Sequence, residues 1–126
     1  MFDINKEYTR SEIQKIVGGE LQTYLPQKDK RILAGCFNEE LNPECPNEVQ
    51  AGSSPRVKAK AELLLEQQDN VFPVFTKPTM KSKTYRYKGY YRCVSGTNDR
   101  SALALAEEKS RRHGQISYVL KLQQIT

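Results

Sequence analysis

The chain has 126 residues, with 20 Lys and Arg against 15 Asp and Glu, a formal charge of +5, and three Cys. Its length suits a single domain over 1–126 and excludes two full ones; with 37% apolar and 28% charged residues it can bury about two-thirds of its unfolded surface without disulfide staples. No run approaches the roughly eighteen apolar residues of a membrane helix, and the polar start Met1-Phe2-Asp3-Ile4-Asn5-Lys6-Glu7 does not read as a signal peptide, so an intracellular, cytoplasmic protein with reduced thiols is expected.

Thr9-Arg10-Ser11-Glu12 has the form of a capping box, in which the Thr9 hydroxyl and the Glu12 carboxylate satisfy free backbone N–H groups at a helix start. Ile13, Ile16 and Val17 keep helical spacing behind it, and Gly18-Gly19 stops it. Leu21 to Leu25 reads as extended, Gln27 to Lys30 as a polar turn and Arg31 to Phe37 as a buried strand, which together predict a hairpin. Pro43 and Pro46 lack the donor a ladder needs, so Asn42 to Asn47 is loop; Val49 opens a short strand. Ser54 as N-cap and Pro55 in the first turn start a second helix, with Val57, Ala61, Leu64 and Leu65 on its packed face. The free N–H groups at that start are suited to holding a single phosphate.

Val71 to Phe75 is apolar enough for a buried strand, although Pro73 restricts it to an edge or a bulge, and Thr76 to Lys83 is a polar connection. Thr84 to Val94 is the clearest strand. Its period of two sends Tyr85, Tyr87, Gly89, Tyr91 and Cys93 one way and Arg86, Lys88, Tyr90, Arg92 and Val94 the other. Gly96 to Asp99 turns into a third helix over Arg100 to Arg112, closed at Gly114, where Lys109, Arg111 and Arg112 complement the macrodipole. The last strand, Ile116 to Ile125, puts Ile116, Tyr118, Leu120 and Leu122 on one face. Strands without regular crossover helices disfavour a doubly wound sheet. The expected class is α+β, a curved mixed β-sheet or small barrel flanked by three helices.

The basic excess is local. Between Asp69 and Asp99 there is no acidic residue, while Lys77, Lys81, Lys83, Arg86, Lys88 and Arg92 all fall there; without them the chain's 20 basic and 15 acidic residues become 14 and 15. Glu39, Glu40, Glu44 and Glu48 form an opposite, acidic stretch. Cys36, Cys45 and Cys93 make no C-x-x-C pair and His113 is remote, so no metal or other cofactor is expected, and Cys36 and Cys93 read as core. His113, the only histidine, sits at a helix end rather than beside a nucleophile, and Glu107-Glu108-Lys109 is a helical surface pair that only superficially echoes a nuclease motif. No catalytic residue emerges, and the chain does not read as an enzyme. Alternating cations and rings suit nucleic acid: Lys77, Lys81, Lys83, Arg86, Lys88 and Arg92 would neutralise phosphates, while Tyr85, Tyr87 and Tyr91 belong either to a core or to a pocket where they stack on a base.

The string Tyr85-Arg86-Tyr87-Lys88-Gly89-Tyr90-Tyr91-Arg92-Cys93-Val94 resembles the R-Y-D-G-L-Y-x-V signature strand of SRA (YDG) domains, members of the wider PUA-like group with the EVE and YTH readers. Phe72-Pro73-Val74-Phe75 looks like the apolar strand before that signature, and Tyr118-Val119-Leu120 like a later one, so the resemblance spans roughly Val71 to Leu122. It implies a curved mixed sheet with a pocket for a modified or flipped base in DNA, with Tyr85, Tyr87, Gly89 and Tyr91 at the base pocket. Lys88 stands where the family has an acid; an Asp can accept from the cytosine N4 amine and a Lys can only donate, so the family's preference for 5-methylcytosine does not carry over. The expected partner is nucleic acid, DNA ahead of RNA. The competing expectation is a non-catalytic adaptor whose basic patch meets an acidic protein.

Overall fold

The structure, a computed structural model, describes residues 2–125. Strand β1 (Glu7–Thr9) leads into helix α1 (Arg10–Val17), whose capping box is complete: Glu12 N–H donates to Thr9 Oγ1 at 3.1 Å and Thr9 N–H to Glu12 Oε1 at 2.8 Å. The hairpin expected next is much shorter. Leu21 to Leu25 is irregular, and only β2 (Gln27–Lys28) and β3 (Arg31–Ile32) pair, around Asp29 and Lys30 at positive φ. The run Arg31 to Phe37 divides because other chemistry takes its backbone. Ile32 N–H donates to Gln67 Oε1 and Ile32 O accepts from Asn70 Nδ2, while Leu33 N–H donates to Pro26 O. Beyond that break, β4 (Gly35–Asn38) joins a different sheet.

That sheet also contains β5 (Glu48–Gly52), β6 (Phe72–Lys77), β7 (Thr84–Thr97) and β8 (Ile116–Ile125), in the order β4-β6-β7-β8-β5, with β1 on the first residues of β7. Helix α2 (Pro55–Leu65) follows β5, and α3 (Arg100–Ser110) joins β7 to β8. The β4–β6 pair is parallel and the other pairs antiparallel, so the sheet is mixed. Contrary to the edge expectation, β6 lies inside the sheet. Pro73 is tolerated because the β4 ladder begins only at Val74.

Of three bulges in the sheet, two reverse the side-chain pattern read from the sequence, and the third leaves Val94 unpaired between Cys93 and Ser95 of β7 opposite β8. In β7, Gly89 faces Val74 and Tyr87 faces Phe75, leaving Lys88 as the extra residue, with Gly89 at φ 112°. The phase of the strand reverses there. Tyr91 and Cys93 join Phe72, Val74, Val49, Leu120, Ala61 and Leu64 in the main core under α2, whereas Tyr87 joins Phe75, Tyr8, Cys36 and Ile13 under α1. The tyrosines therefore do not share one face, as strict alternation would require. In β8, Ser117 is the extra residue; its hydroxyl donates to Ala51 O and Gly52 O. Ile116 consequently turns away from Tyr118, Leu120 and Leu122 and packs with Val119, Leu103 and Ala106 beneath α3. Burial pushes the Cys36 and Cys93 thiols up to about 12 and about 11, so both are neutral packing groups.

The result is an α+β fold, a curled half-barrel of mixed sheet with three flanking helices. A Cβ at Gly89 would stand 2.7 Å from Gln124 Nε2, which can swing aside, but the positive φ has no such relief. Gly89→Ala is expected to lower the unfolding free energy by about 1–3 kcal/mol in urea melts. The loss should persist when Gln124→Ala removes the contact.

Candidate nucleic-acid interface

The six expected phosphate-binding residues do not form one surface. Lys77 Nζ donates to Met80 O and Ser82 O and lies 4.8 Å from the centre of the Tyr85 ring, so it braces the turn after β6. Arg92 Nη1 donates to Gln68 O, next to the end of α2. Arg86 pairs with Glu7 at 3.6 Å, with both side chains about half exposed (52% and 55%), too wet for the pair to hold the guanidinium strongly. Lys81 and Lys83 are exposed in the turn. Arg86 and Lys88 share a recess of about 390 Å³ with Thr76, Ser82, Thr84, Glu7 and Glu39. The ladder aligns Phe37, Thr76 and Arg86 across three strands, which places this recess on the main-core face of the sheet.

The expected base pocket is not one. Tyr87 is 4% exposed, its ring 5.2 Å from Phe75 and 5.4 Å from Phe2; Tyr91, 5% exposed, is in the main core. Tyr85 is half-buried beneath the Lys77 ammonium, and Gly89 supplies the bulge. Burial pushes all three phenols above their ordinary value, so they remain neutral. The phase reversal put these rings on opposite faces, and each face is covered.

A larger cleft, about 1270 Å³, opens elsewhere, lined by both ends of the sheet and α2. Strands β4 and β5 do not pair with each other. Cys36 N–H goes instead to Tyr24 O and Gln50 N–H to Asn42 Oδ1. Tyr24 and Phe37, with ring centres 6.4 Å apart and tilted 58°, form an aromatic wall, and Tyr24 Oη donates to Val57 O at 2.7 Å. At the other end, Arg112 Nη2 donates to Leu41 O and Gln50 O, tying the loop after β4 to β5. The Glu40 carboxylate accepts from Met80 N–H on the far side of that loop, so the cleft and the basic recess flank a single loop. The sequence reading missed Tyr24, Phe37, Gln50 and Arg112 as site residues; only the amphipathic α2 announced one wall.

A charged latch holds the cleft in shape. Lys60 Nζ meets both Glu20 oxygens at 2.8 and 2.7 Å and Leu25 O at 2.9 Å, and Gln27 N–H donates to Glu20 Oε1 at 2.7 Å. Among the described residues no three His, Cys, Asp or Glu side chains gather where a metal ion could be held, and no helix is long and apolar enough to cross a membrane.

No family model and no curated protein sequence matches the chain. Among solved structures it is similar to KRYPTONITE in complex with mCHG DNA and SAH, with a TM-score of 0.61 and 10% identity over 99% of this chain and 32% of that chain. The chain thus spans about a third of that chain's length, 32%, and the likeness is one of fold. The half-barrel with three helices is consistent with the PUA-like architecture that the Tyr85 to Val94 string implies.

Burial by itself would raise the Glu20 carboxyl, but the Lys60 and Gln27 hydrogen bonds outweigh it and hold the group below its ordinary value of 4.5. A carboxyl lowered on folding contributes stability that is fully present above its unfolded pKa and is lost as pH falls through the folded one. Wild type is expected to be more stable than Glu20→Gln at neutral pH. The gap should close progressively below the ordinary value of 4.5, as read by urea melts at stepped pH.

Proposed function

We propose that this chain is a nucleic-acid-binding module, directed to DNA, that holds phosphates with Arg86, Lys88, Lys81 and Lys83 and takes a modified or extruded base into the cleft between β4 and β5. One observation carries this: an aromatic-walled cleft opens beside the acid-free basic segment, on a fold shared with a protein solved in complex with DNA. Tyr24, half-buried and backed by the core residue Phe37, takes the stacking role that the buried Tyr87 and Tyr91 are not free to take. Extruding a base costs a few kcal/mol. Stacking at roughly 1–3 kcal/mol per base, together with phosphate contacts, is of the size to offset it.

The double variant Arg86→Glu/Lys88→Glu removes two cations from the recess without touching the main core. It is expected to weaken binding to duplex and single strands at low salt and to reduce the slope of log affinity against log salt by about 2. Tyr24→Leu, which keeps the apolar bulk but loses the ring, should leave the slope alone and weaken binding of a mismatched, easily extruded base by about tenfold. A panel of unmodified, 5-methyl, hydroxymethyl and glucosylated duplexes with single-stranded DNA and RNA, run at two salt concentrations, measures both. Unchanged low-salt affinity in the charge-reversed variant would remove the proposed function. Binding that vanishes by physiological salt with no preference among base forms would favour an acidic protein partner.

A further inference from the structure

The start of α2 concentrates positive charge that no acidic side chain among the described residues pairs with. Ser54 has N-cap geometry, yet its hydroxyl makes no capping bond; Pro55 occupies the first position, the first turn has no acidic residue, and Arg56 lies in it. The helix's hydrogen bonding begins with Lys58 N–H to Ser54 O, so the Arg56 and Val57 N–H groups lie ahead of it without a partner among the described residues. Helices favour acids at this end because their aligned peptide dipoles make it positive. Here an 11-residue helix presents free donors and a guanidinium instead.

A second cation closes on the same point. Gly52 has no side chain, and the place a Cβ would occupy lies 3.8 Å from Val57 Cγ1 and 3.9 Å from Arg112 Nη1. Arg112 has committed Nη2 to two carbonyl oxygens, but its buried Nε has no partner among the described residues. Two residues before Gly52, on the same side of β5, Gln50 is 3% exposed with both amide atoms unpartnered. All of these residues except Pro55 and Lys58 line the cleft. The nearby acids are engaged elsewhere, Glu48 by Lys109 and Lys121 and Glu62 by the Tyr118 hydroxyl. Buried donors left unmet are costly, and here they converge with a helix dipole on a bare stretch of backbone.

We propose that this end of the cleft is a phosphate-binding site, in which the phosphate group of a nucleotide is held by the α2 N–H groups, the Ser54 hydroxyl and Arg112. This rests on the cleft being the nucleotide site proposed above, and it fixes the nucleotide's direction: base toward Tyr24, phosphate toward Gly52 and Ser54.

Ser54→Asp tests it without unfolding the chain, because an acidic N-cap satisfies the free N–H groups and suits the dipole while repelling phosphate. Wild type in inorganic phosphate is expected to melt higher than in chloride at matched ionic strength; Ser54→Asp should lose that difference and Arg56→Gln should reduce it. Affinity of Ser54→Asp for a 5′-mononucleotide should fall about tenfold. A parallel fall for a single-stranded oligonucleotide assigns the site to a strand phosphate, and an unchanged oligonucleotide affinity assigns it to a free nucleotide; either supports the site. Arg86→Glu/Lys88→Glu should keep the phosphate-specific stabilisation even where it loses nucleic acid, so failure of the broader function reads separately. No phosphate-specific stabilisation of wild type, or its full retention in Ser54→Asp, overturns the proposal.

Discussion

Of the two extra residues in the central strand, the one opposite β6 governs the molecule. β7 pairs with β6 along one edge and with β1 and β8 along the other, so a change of phase within it is transmitted to every neighbour. Lys88 is that residue, and Gly89 at φ 112° allows the chain to absorb it. Below the bulge, β7 presents Tyr87 to α1; above it, Tyr91 and Cys93 face α2. A single amphipathic strand thereby serves two cores on opposite faces of one sheet, which is why the chain needs helices on both sides. Bulges also sharpen local twist and bend the strand that carries them. A sheet curled in this way ends in two strands, β4 and β5, that are not joined to each other.

The cleft follows from that unfinished closure. Edge strands present unmet backbone groups, and here they are satisfied by the Tyr24 carbonyl, the Asn42 amide and the Arg112 guanidinium. The residues that seal the edges therefore also furnish the walls. Lys60 and Glu20 add a latch that is only partly exposed, which lets an ion pair hold a loop against α2 where a wholly solvated pair would contribute little. On the other side of the loop after β4 lie the cations of β7 and its preceding turn; under the proposed function they attract polyanions at long range while the cleft supplies shape and stacking. That reading divides affinity and selectivity between two neighbouring places rather than combining them on one strand.

Local chemistry was legible in the residues wherever it is completed within a few positions. Thr9 and Glu12 announce their helix because both partners of the capping box lie within one turn. Of the α2 stripe Val57, Ala61, Leu64 and Leu65, Ala61 and Leu64 are fully buried and the other two pack partly buried against the same core, and the alternation of Thr84 to Val94 correctly marks a strand. The short β2–β3 hairpin was misjudged because Gln67 and Asn70, more than thirty positions away from Ile32 (35 and 38), take the hydrogen bonds that a longer ladder would have used. The buried tyrosines failed as a pocket for a related reason. A period of two assigns side chains to sides only while the partner strand keeps step, and the step is lost opposite Val74 and Phe75.

Taken alone, the sequence determined the α+β class, the three helices, the core placement of Cys36 and Cys93 and the confinement of the basic excess to Lys77 through Arg92, since each depends on composition or near-neighbour spacing. Tertiary structure alone decided which faces those residues occupy and where a ligand can enter. Bulges are a property of paired strands, and the cleft joins residues such as Gln50 and Arg112 that stand 62 positions apart. No periodicity in a single chain encodes that meeting; it exists only once the curled sheet brings its two unpaired edges to the same helix.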